Sequence, residues 1–157
     1  MKATIINASK DISSHTNQIG KTLFKNMDLQ IINLREHYIP QLEQYDDNDE
    51  FYTIIEKLRD SDYIAFGTPV YWSDMSGYLK TFIDRMSNIM DVKLDSTDNV
   101  FFNKKVYLII QGTSPEDAIP HVNHVMQHVS LRFFFNYLGY ITNQSEAKTT
   151  NYLILNK

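Results

Sequence analysis

Residues 62–77 read Asp-Tyr-Ile-Ala-Phe-Gly-Thr-Pro-Val-Tyr-Trp-Ser-Asp-Met-Ser-Gly, a short apolar run that passes directly into a loop. The run 62–67 has the length and composition of a buried strand. Two adjacent aromatic residues, Tyr71 and Trp72, are unusual so soon after such a strand, and Pro69 stiffens the turn before them. Their flat faces suit the stacking of a planar ring, while neighbouring amides can bond its polar edge. Packing in the core or at a subunit contact would explain the pair equally well.

Strand-like and helix-like segments alternate on both sides of this stretch. The predicted strands are 3–7, 29–33, 62–67, 105–111 and 139–142, and the predicted helices are 16–27, 50–60, 75–90 and 115–135. Residues 151–155 are interpreted as a continuation of the last strand or as an added strand. This alternation implies right-handed βαβ units and a parallel five-stranded sheet with helices on both faces. In such a doubly wound sheet the ligand lies beyond the carboxyl ends of the strands, at the switch point.

The loop after the first predicted strand, residues 8–17, is rich in hydroxyl groups and leads into a helix. Free amides at the helix start and the positive end of its dipole form an anion site, to which Ser and Thr hydroxyls add donors. Helix capping alone is the alternative role for Ser14 and Thr16. The loop contains neither a Walker motif nor a GxGxxG fingerprint, so triphosphate hydrolysis and a Rossmann NAD site are disfavoured.

Composition limits the function classes further. The chain of 157 residues, 43% of them hydrophobic, is expected to form one domain over residues 1–157. It has no cysteine, which excludes a disulfide framework, a thiolate zinc site, an iron–sulfur cluster and a cysteine nucleophile. A net charge of −4 without a basic stripe disfavours nucleic acid and anionic membranes as partners. Residues 1–7 show no signal-peptide pattern and no apolar run reaches about 20 residues, so a cytoplasmic protein is expected.

Residues 68–85, Thr-Pro-Val-Tyr-Trp-Ser-Asp-Met-Ser-Gly-Tyr-Leu-Lys-Thr-Phe-Ile-Asp-Arg, resemble the signature of the flavodoxin-like NAD(P)H-dependent FMN reductase family. Ser9 followed by Ser14-His15-Thr16 is similar to the phosphate loop of that family. The resemblance implies a flavodoxin-like three-layer αβα sandwich whose parallel sheet has the strand order 2-1-3-4-5. It also implies FMN as cofactor, NAD(P)H as co-substrate and a homodimer.

The resemblance further assigns individual residues to the flavin. The residues implied to hold the FMN phosphate are Ser9, Ser14, His15 and Thr16. Those implied to lie along the isoalloxazine are Pro69, Val70, Tyr71 and Trp72. The loop 111–114 would close the other side of the flavin, and its implied contacts are Gly112 and Thr113.

The implied activity is that of an NAD(P)H-dependent FMN reductase. Because the flavin carries the reaction, no catalytic side chain is expected. By resemblance, NAD(P)H delivers hydride and leaves, and a small acceptor then takes its place: a quinone, azo compound, nitroaromatic, free flavin or metal ion. A flavodoxin-type electron carrier between partner proteins is the alternative, which the modest negative charge and the Tyr-Trp pair disfavour.

Three further patterns carry no predicted chemistry. His121, His124 and His128 share one helix face, but a polar face beside an apolar stripe is the favoured interpretation, and no metal site is expected. The pair Asp84-Arg85 is expected to form structural salt bridges or subunit contacts. The run Phe133-Phe134-Phe135 is expected to be core and interface.

Overall fold

The computed structural model of the protein describes residues 1–156, which form a six-stranded sheet and five α-helices. The strands are β1 (Lys2–Asn7), β2 (Asp28–Asn33), β3 (Tyr63–Tyr71), β4 (Asp74–Met75), β5 (Lys105–Gln111) and β6 (Asn136–Ile141). The helices are α1 (His15–Leu23), α2 (Phe51–Lys57), α3 (Gly77–Arg85), α4 (Ile119–Phe133) and α5 (Gln144–Leu155). Short 3-10 turns lie at Leu34–Glu36, Met86–Ile89 and Pro115–Asp117.

The sheet has the predicted strand order. Its five parallel strands lie in the order β2-β1-β3-β5-β6, and the short β4 pairs with β3 in the antiparallel direction. Counted without β4, this order is 2-1-3-4-5, so the flavodoxin-like architecture is confirmed. The strand order reverses at β1 and β3, and the carboxyl ends of these two strands therefore mark the expected ligand site.

Alternating side chains of the central strands pack on opposite faces of the sheet. In β3, Ile64 and Phe66 join one core cluster, which includes residues of α2, α3 and α4. Tyr63 and Ala65 join the cluster on the other face, which includes residues of α1 and α5. The sheet is therefore covered on both sides, and the predicted three layers are confirmed.

The C-terminal segment differs from the prediction. Residues 151–155 lie in α5, so their assignment to a strand was wrong. The Asn143 side chain caps this helix by accepting the Glu146 N–H at 3.0 Å. Ala147 and Ile154, two turns apart, are buried on the sheet face that α1 also covers. The apolar run alone resembles a strand, and only its packing against the sheet reveals the helical period.

The last strand begins earlier than the predicted residue 139. Helix α4 ends at Phe133, because Phe134 adopts a left-handed conformation with a φ of 53°. The chain then enters β6 at Asn136. The predicted helix 115–135 is in fact a 3-10 turn followed by the shorter α4.

Candidate functional site

The carboxyl ends of β1, β3 and β5 open into a cleft of about 450 Å³. Eight of the ten predicted site residues line it, namely Ser9, Ser14, His15, Thr16, Pro69, Tyr71, Gly112 and Thr113. The other two, Val70 and Trp72, lie on the same hairpin but are not among the described residues that line the cleft. Lys10, Asp11 and Gln111 complete the lining. Sequence reasoning gave no role to Asp11, and it included Gln111 only as part of the loop 111–114, without a flavin contact of its own.

The loop after β1 is shaped by two serine hydroxyls. The Ser14 Oγ accepts the Asn17 N–H at 3.3 Å and thereby caps α1. The same oxygen lies 2.6 Å from the Ser9 Oγ, which also donates to the Asn7 side chain. The cap that the sequence offered as an alternative to anion binding is therefore present. The cap is compatible with anion binding in the cleft, because both serines also line the cleft.

Three buried asparagines lie beneath this loop, and sequence reasoning missed them. The Asn7 Nδ2 donates to the Asn33 Oδ1 at 2.9 Å, which joins the ends of β1 and β2. The Asn17 Nδ2 donates to the Ile12 carbonyl at 2.9 Å and fixes the loop from below. The Asn17 Oδ1 is buried and has no hydrogen-bond partner within residues 1–156. Most buried polar atoms in proteins are paired within the protein or with ordered water, so this oxygen is an exception among the described residues.

The aromatic pair lies on a tight hairpin. Tyr71 pairs with Asp74 across β3 and β4, and the two residues between them, Trp72 and Ser73, have φ angles of 51° and 60°. Positive φ at both central positions is the type I′ geometry that usually requires Asn or Gly, so this turn is strained. The Trp72 side chain is 100% exposed and that of Tyr71 is 53% exposed. Packing in the core, one alternative for this pair, is therefore wrong.

The hairpin is joined to the loop after β1 through Ser76. The Ser76 hydroxyl donates to the Ala8 carbonyl at 3.0 Å, and its backbone N–H donates to the Thr68 Oγ1 at 2.9 Å. From the other side, Gly112 lies so close to β3 that an added Cβ would be 3.1 Å from the Val70 Cβ. The three loops of the cleft are thus packed directly on one another.

Two cations and one anion lie at or directly behind the cleft. Lys10 and Asp11 both line it, and Arg35 lies behind the loop, donating to the Lys10 carbonyl at 2.7 Å. Arg35 is also 3.8 Å from the Asp11 carboxylate. These charges favour an anion by one net positive charge, and the amides and dipole at the start of α1 and the nearby hydroxyls add to that attraction.

The segment 37–50, between β2 and α2, is anchored by a buried cation. The Arg85 side chain is fully buried, forms an ion pair with Asp49 and donates to the Pro40 carbonyl at 3.0 Å. Its guanidinium carbon lies 4.8 Å from the ring centroids of Tyr45 and Phe51. These contacts confirm the predicted structural role of Arg85.

A second set of contacts joins the two ends of the segment 37–50. The Glu50 carboxylate lies 2.9 Å from the His37 Nδ1 and accepts the Tyr38 N–H at 2.7 Å. The hydrogen bond with His37, followed by that with Tyr38, holds the pKa of the Glu50 carboxyl below its ordinary value.

The remaining patterns show no arrangement for catalysis. His121, His124 and His128 are exposed on α4, and within residues 1–156 no cluster of three metal-binding side chains occurs. Asp84 pairs with Lys80 at 2.6 Å, as the structural interpretation predicts. None of the helices within these residues is both long and apolar enough to cross a membrane.

Comparison with known proteins agrees with this geometry. The model of a family described as NADPH-dependent FMN reductase matches residues 1–145. The chain is 26% identical over 153 residues to YwqN of Bacillus subtilis (strain 168), by name an NAD(P)H-dependent FMN-containing oxidoreductase, and the match covers 88% of this chain and 84% of YwqN. It is 33% identical over 99 residues to an FMN-dependent NADPH-azoreductase of Staphylococcus haemolyticus (strain JCSC1435), which covers 55% and 53% of the two chains. Among solved structures, the Trp repressor binding protein from Bacillus subtilis superimposes with a TM-score of 0.75 at 23% identity over 96% and 99% of the two chains, which shows a shared fold.

Proposed function

The chain belongs to the NADPH-dependent FMN reductase family. We therefore propose that its bound FMN accepts hydride from NAD(P)H and that the protein passes the electrons to a small organic acceptor. FMN is the cofactor and NAD(P)H the co-substrate of this family. The observation that supports the proposal best is the convergence of three separate loops on one cleft.

The residues present fit FMN. The start of α1 presents amides and hydroxyls suited to a phosphate, and the residues that would hold it are Ser9, Ser14, His15 and Thr16. The residues that would border the ring are Pro69, Val70, Tyr71, Trp72, Gly112 and Thr113. An added Cβ at Gly112 would lie 3.1 Å from the Val70 Cβ, so a larger residue there would require Val70 to shift by a few tenths of an ångström. Bound FMN would supply the hydride-accepting and electron-transferring chemistry, so the chain itself binds the ring and holds one face open.

We also propose that the whole chain is one cytoplasmic domain that acts as a homodimer. Phe133 and Phe135 are buried in the core, whereas Phe134 beside them is half exposed. Leu138 and Tyr140, on the edge strand β6, are also about half exposed. Apolar side chains grouped at one edge of a small domain support a contact between two copies of the chain.

Anaerobic reduction of the FMN-loaded protein by NADPH tests this function. We expect bleaching of the flavin absorbance, followed by its return when a quinone is added. We also expect FMN to bind more tightly than riboflavin, because only FMN carries the phosphate. A coloured protein that neither NADPH nor NADH bleaches would instead support the electron-carrier alternative.

The absence of a catalytic side chain is tested with the same assay. We expect the FMN-saturated variants His15→Ala, Ser73→Ala and Asp74→Asn to bleach at nearly the rate of the unaltered protein. Loss of a general acid or base would lower that rate by about 10²- to 10⁴-fold while FMN stayed bound. Such a loss in any of the three would contradict the proposal that the chain only positions the reactants.

A further inference from the structure

A second pocket lies beside the cleft and shares one wall with it. It measures about 380 Å³ and is lined by Ile39, Tyr71, Ser76, Gly77, Tyr78 and Thr81. We call these six residues the side pocket. Tyr71 lines both the cleft and the side pocket, so the two spaces are adjacent at this residue.

The chemistry of the side pocket differs from that of the cleft. Among the described residues that line it, none carries a charge, whereas the cleft includes Lys10 and Asp11. Two of its six lining residues are tyrosines, of which Tyr78 is 48% exposed and Tyr71 is 53% exposed. An uncharged aromatic group suits such a lining, whereas a phosphate would find no cation in it.

The size of the side pocket allows such a group. An apolar cavity of about 150 Å³ is already large enough to hold a benzene ring. The roughly 380 Å³ available here can therefore take a ring with its substituents.

The walls of the side pocket are held in place before any ligand binds. The buried Arg85 donates to the carbonyl of Pro40, the residue next to Ile39. Ser76 is buried, and its hydroxyl and N–H are already used in bonds to the Ala8 carbonyl and Thr68. A pocket that needs no reordering loses less affinity to conformational entropy.

We propose that the side pocket binds the ring substituent of an uncharged aryl-substituted quinone while the quinone ring itself occupies the cleft. The inference rests on the proposed function, since it names the acceptor class. In the overall reaction NAD(P)H loses a hydride and becomes NAD(P)⁺. The quinone gains that hydride and one proton from water, and its two carbonyls become the hydroxyls of a hydroquinone.

Two quinones that differ in one substituent test the proposal. The FMN-loaded protein is assayed with phenyl-1,4-benzoquinone and methyl-1,4-benzoquinone, and the ratio of their kcat/KM values is measured. Since the chain has no cysteine, thiol addition to the quinones does not interfere. One apolar group in a fitting pocket changes kcat/KM by roughly 10- to 200-fold, so we expect the phenyl compound to be preferred at least tenfold.

Variants of the pocket should remove this preference. Tyr78→Ala removes an aromatic wall, and Thr81→Asp places a charge inside the pocket, so both should lower the phenyl-to-methyl ratio by roughly tenfold. Tyr152→Ala on α5 is the control, because this tyrosine is 67% exposed and lies outside both spaces. An unchanged ratio in both pocket variants, or an equal fall in the control, would overturn the proposal.

A binding measurement separates this inference from the proposed function. The methyl resonance of Ile39, identified with Ile39→Val, should shift when the redox-inert compound 4-phenylphenol is added, and that of Ile154 should not. If neither NADPH nor NADH bleaches the flavin but Ile39 still shifts, the proposed function is wrong and the pocket stands as an aromatic site. If Ile39 shifts with protein concentration and not with 4-phenylphenol, the pocket is a contact between copies and the inference is overturned.

Discussion

Replacing Thr16 by Val tests whether the start of α1 binds the FMN phosphate. Thr16 is buried and lines the cleft, and no hydrogen bond of its hydroxyl to another group occurs within residues 1–156. Its methyl group lies against Gly67, where an added Cβ would be 2.5 Å from the Thr16 Cγ2. Valine keeps that methyl and replaces only the hydroxyl. We therefore expect the free energy of unfolding to change by no more than about 1 kcal/mol.

The Thr16→Val substitution should instead weaken FMN binding. A hydrogen bond to a charged group contributes about 1.5–3 kcal/mol, and each 1.4 kcal/mol is a factor of ten, so Kd should rise roughly 10- to 100-fold. Flavin fluorescence titration measures Kd, with Thr22→Val as the control, since the Thr22 hydroxyl bonds the Gln18 carbonyl on the same helix away from the cleft. Riboflavin, which lacks the phosphate, should bind both variants equally. A change in Kd below about threefold, or an equal loss for riboflavin, would refute the phosphate assignment.

Three further predictions concern the hairpin, the buried cation and alkaline pH. Trp72→Gly should raise the free energy of unfolding by up to about 1 kcal/mol, because glycine accepts the left-handed conformation. The same substitution should weaken FMN binding or slow flavin bleaching about tenfold, because it removes an aromatic ring. A loss of stability with unchanged flavin binding would contradict this prediction. Asp49→Asn should lower the free energy of unfolding, measured in urea, by about 3–5 kcal/mol, because it leaves the buried Arg85 without its partner. Asp84→Asn, in an exposed ion pair, should lower it by at most about 0.5 kcal/mol. Burial raises the pKa of the Tyr137 hydroxyl above its ordinary value of about 10, so the unfolded chain ionises first and stability should fall as pH rises above 10. Tyr137→Phe should flatten that decline in urea unfolding between pH 9 and 11, and an unchanged slope would refute the cause.

The position of the cleft could be predicted because it follows from chain topology. Alternating strands and helices allow few arrangements, and their carboxyl ends must share one edge of the sheet. The β1 loop and the hairpin loop were therefore placed together from sequence alone, and Ser14 was expected at the start of a helix. The conformation of residues 151–155 was not predictable in this way, because the periodicity of a short apolar run does not distinguish a helix from a strand.

Local patterns and connectivity were sufficient to predict the doubly wound parallel sheet and the loops that meet at the cleft. The family and the strand order came from the resemblance of residues 68–85 and of the first loop to a known family. The folded structure was needed to show that Trp72 is fully exposed on a strained turn and that Arg85 is buried against Asp49. It also shows that Tyr71 lines both the cleft and the side pocket. These properties depend on contacts between residues far apart in the chain, such as Arg85 with Pro40, and no local period or propensity encodes such contacts.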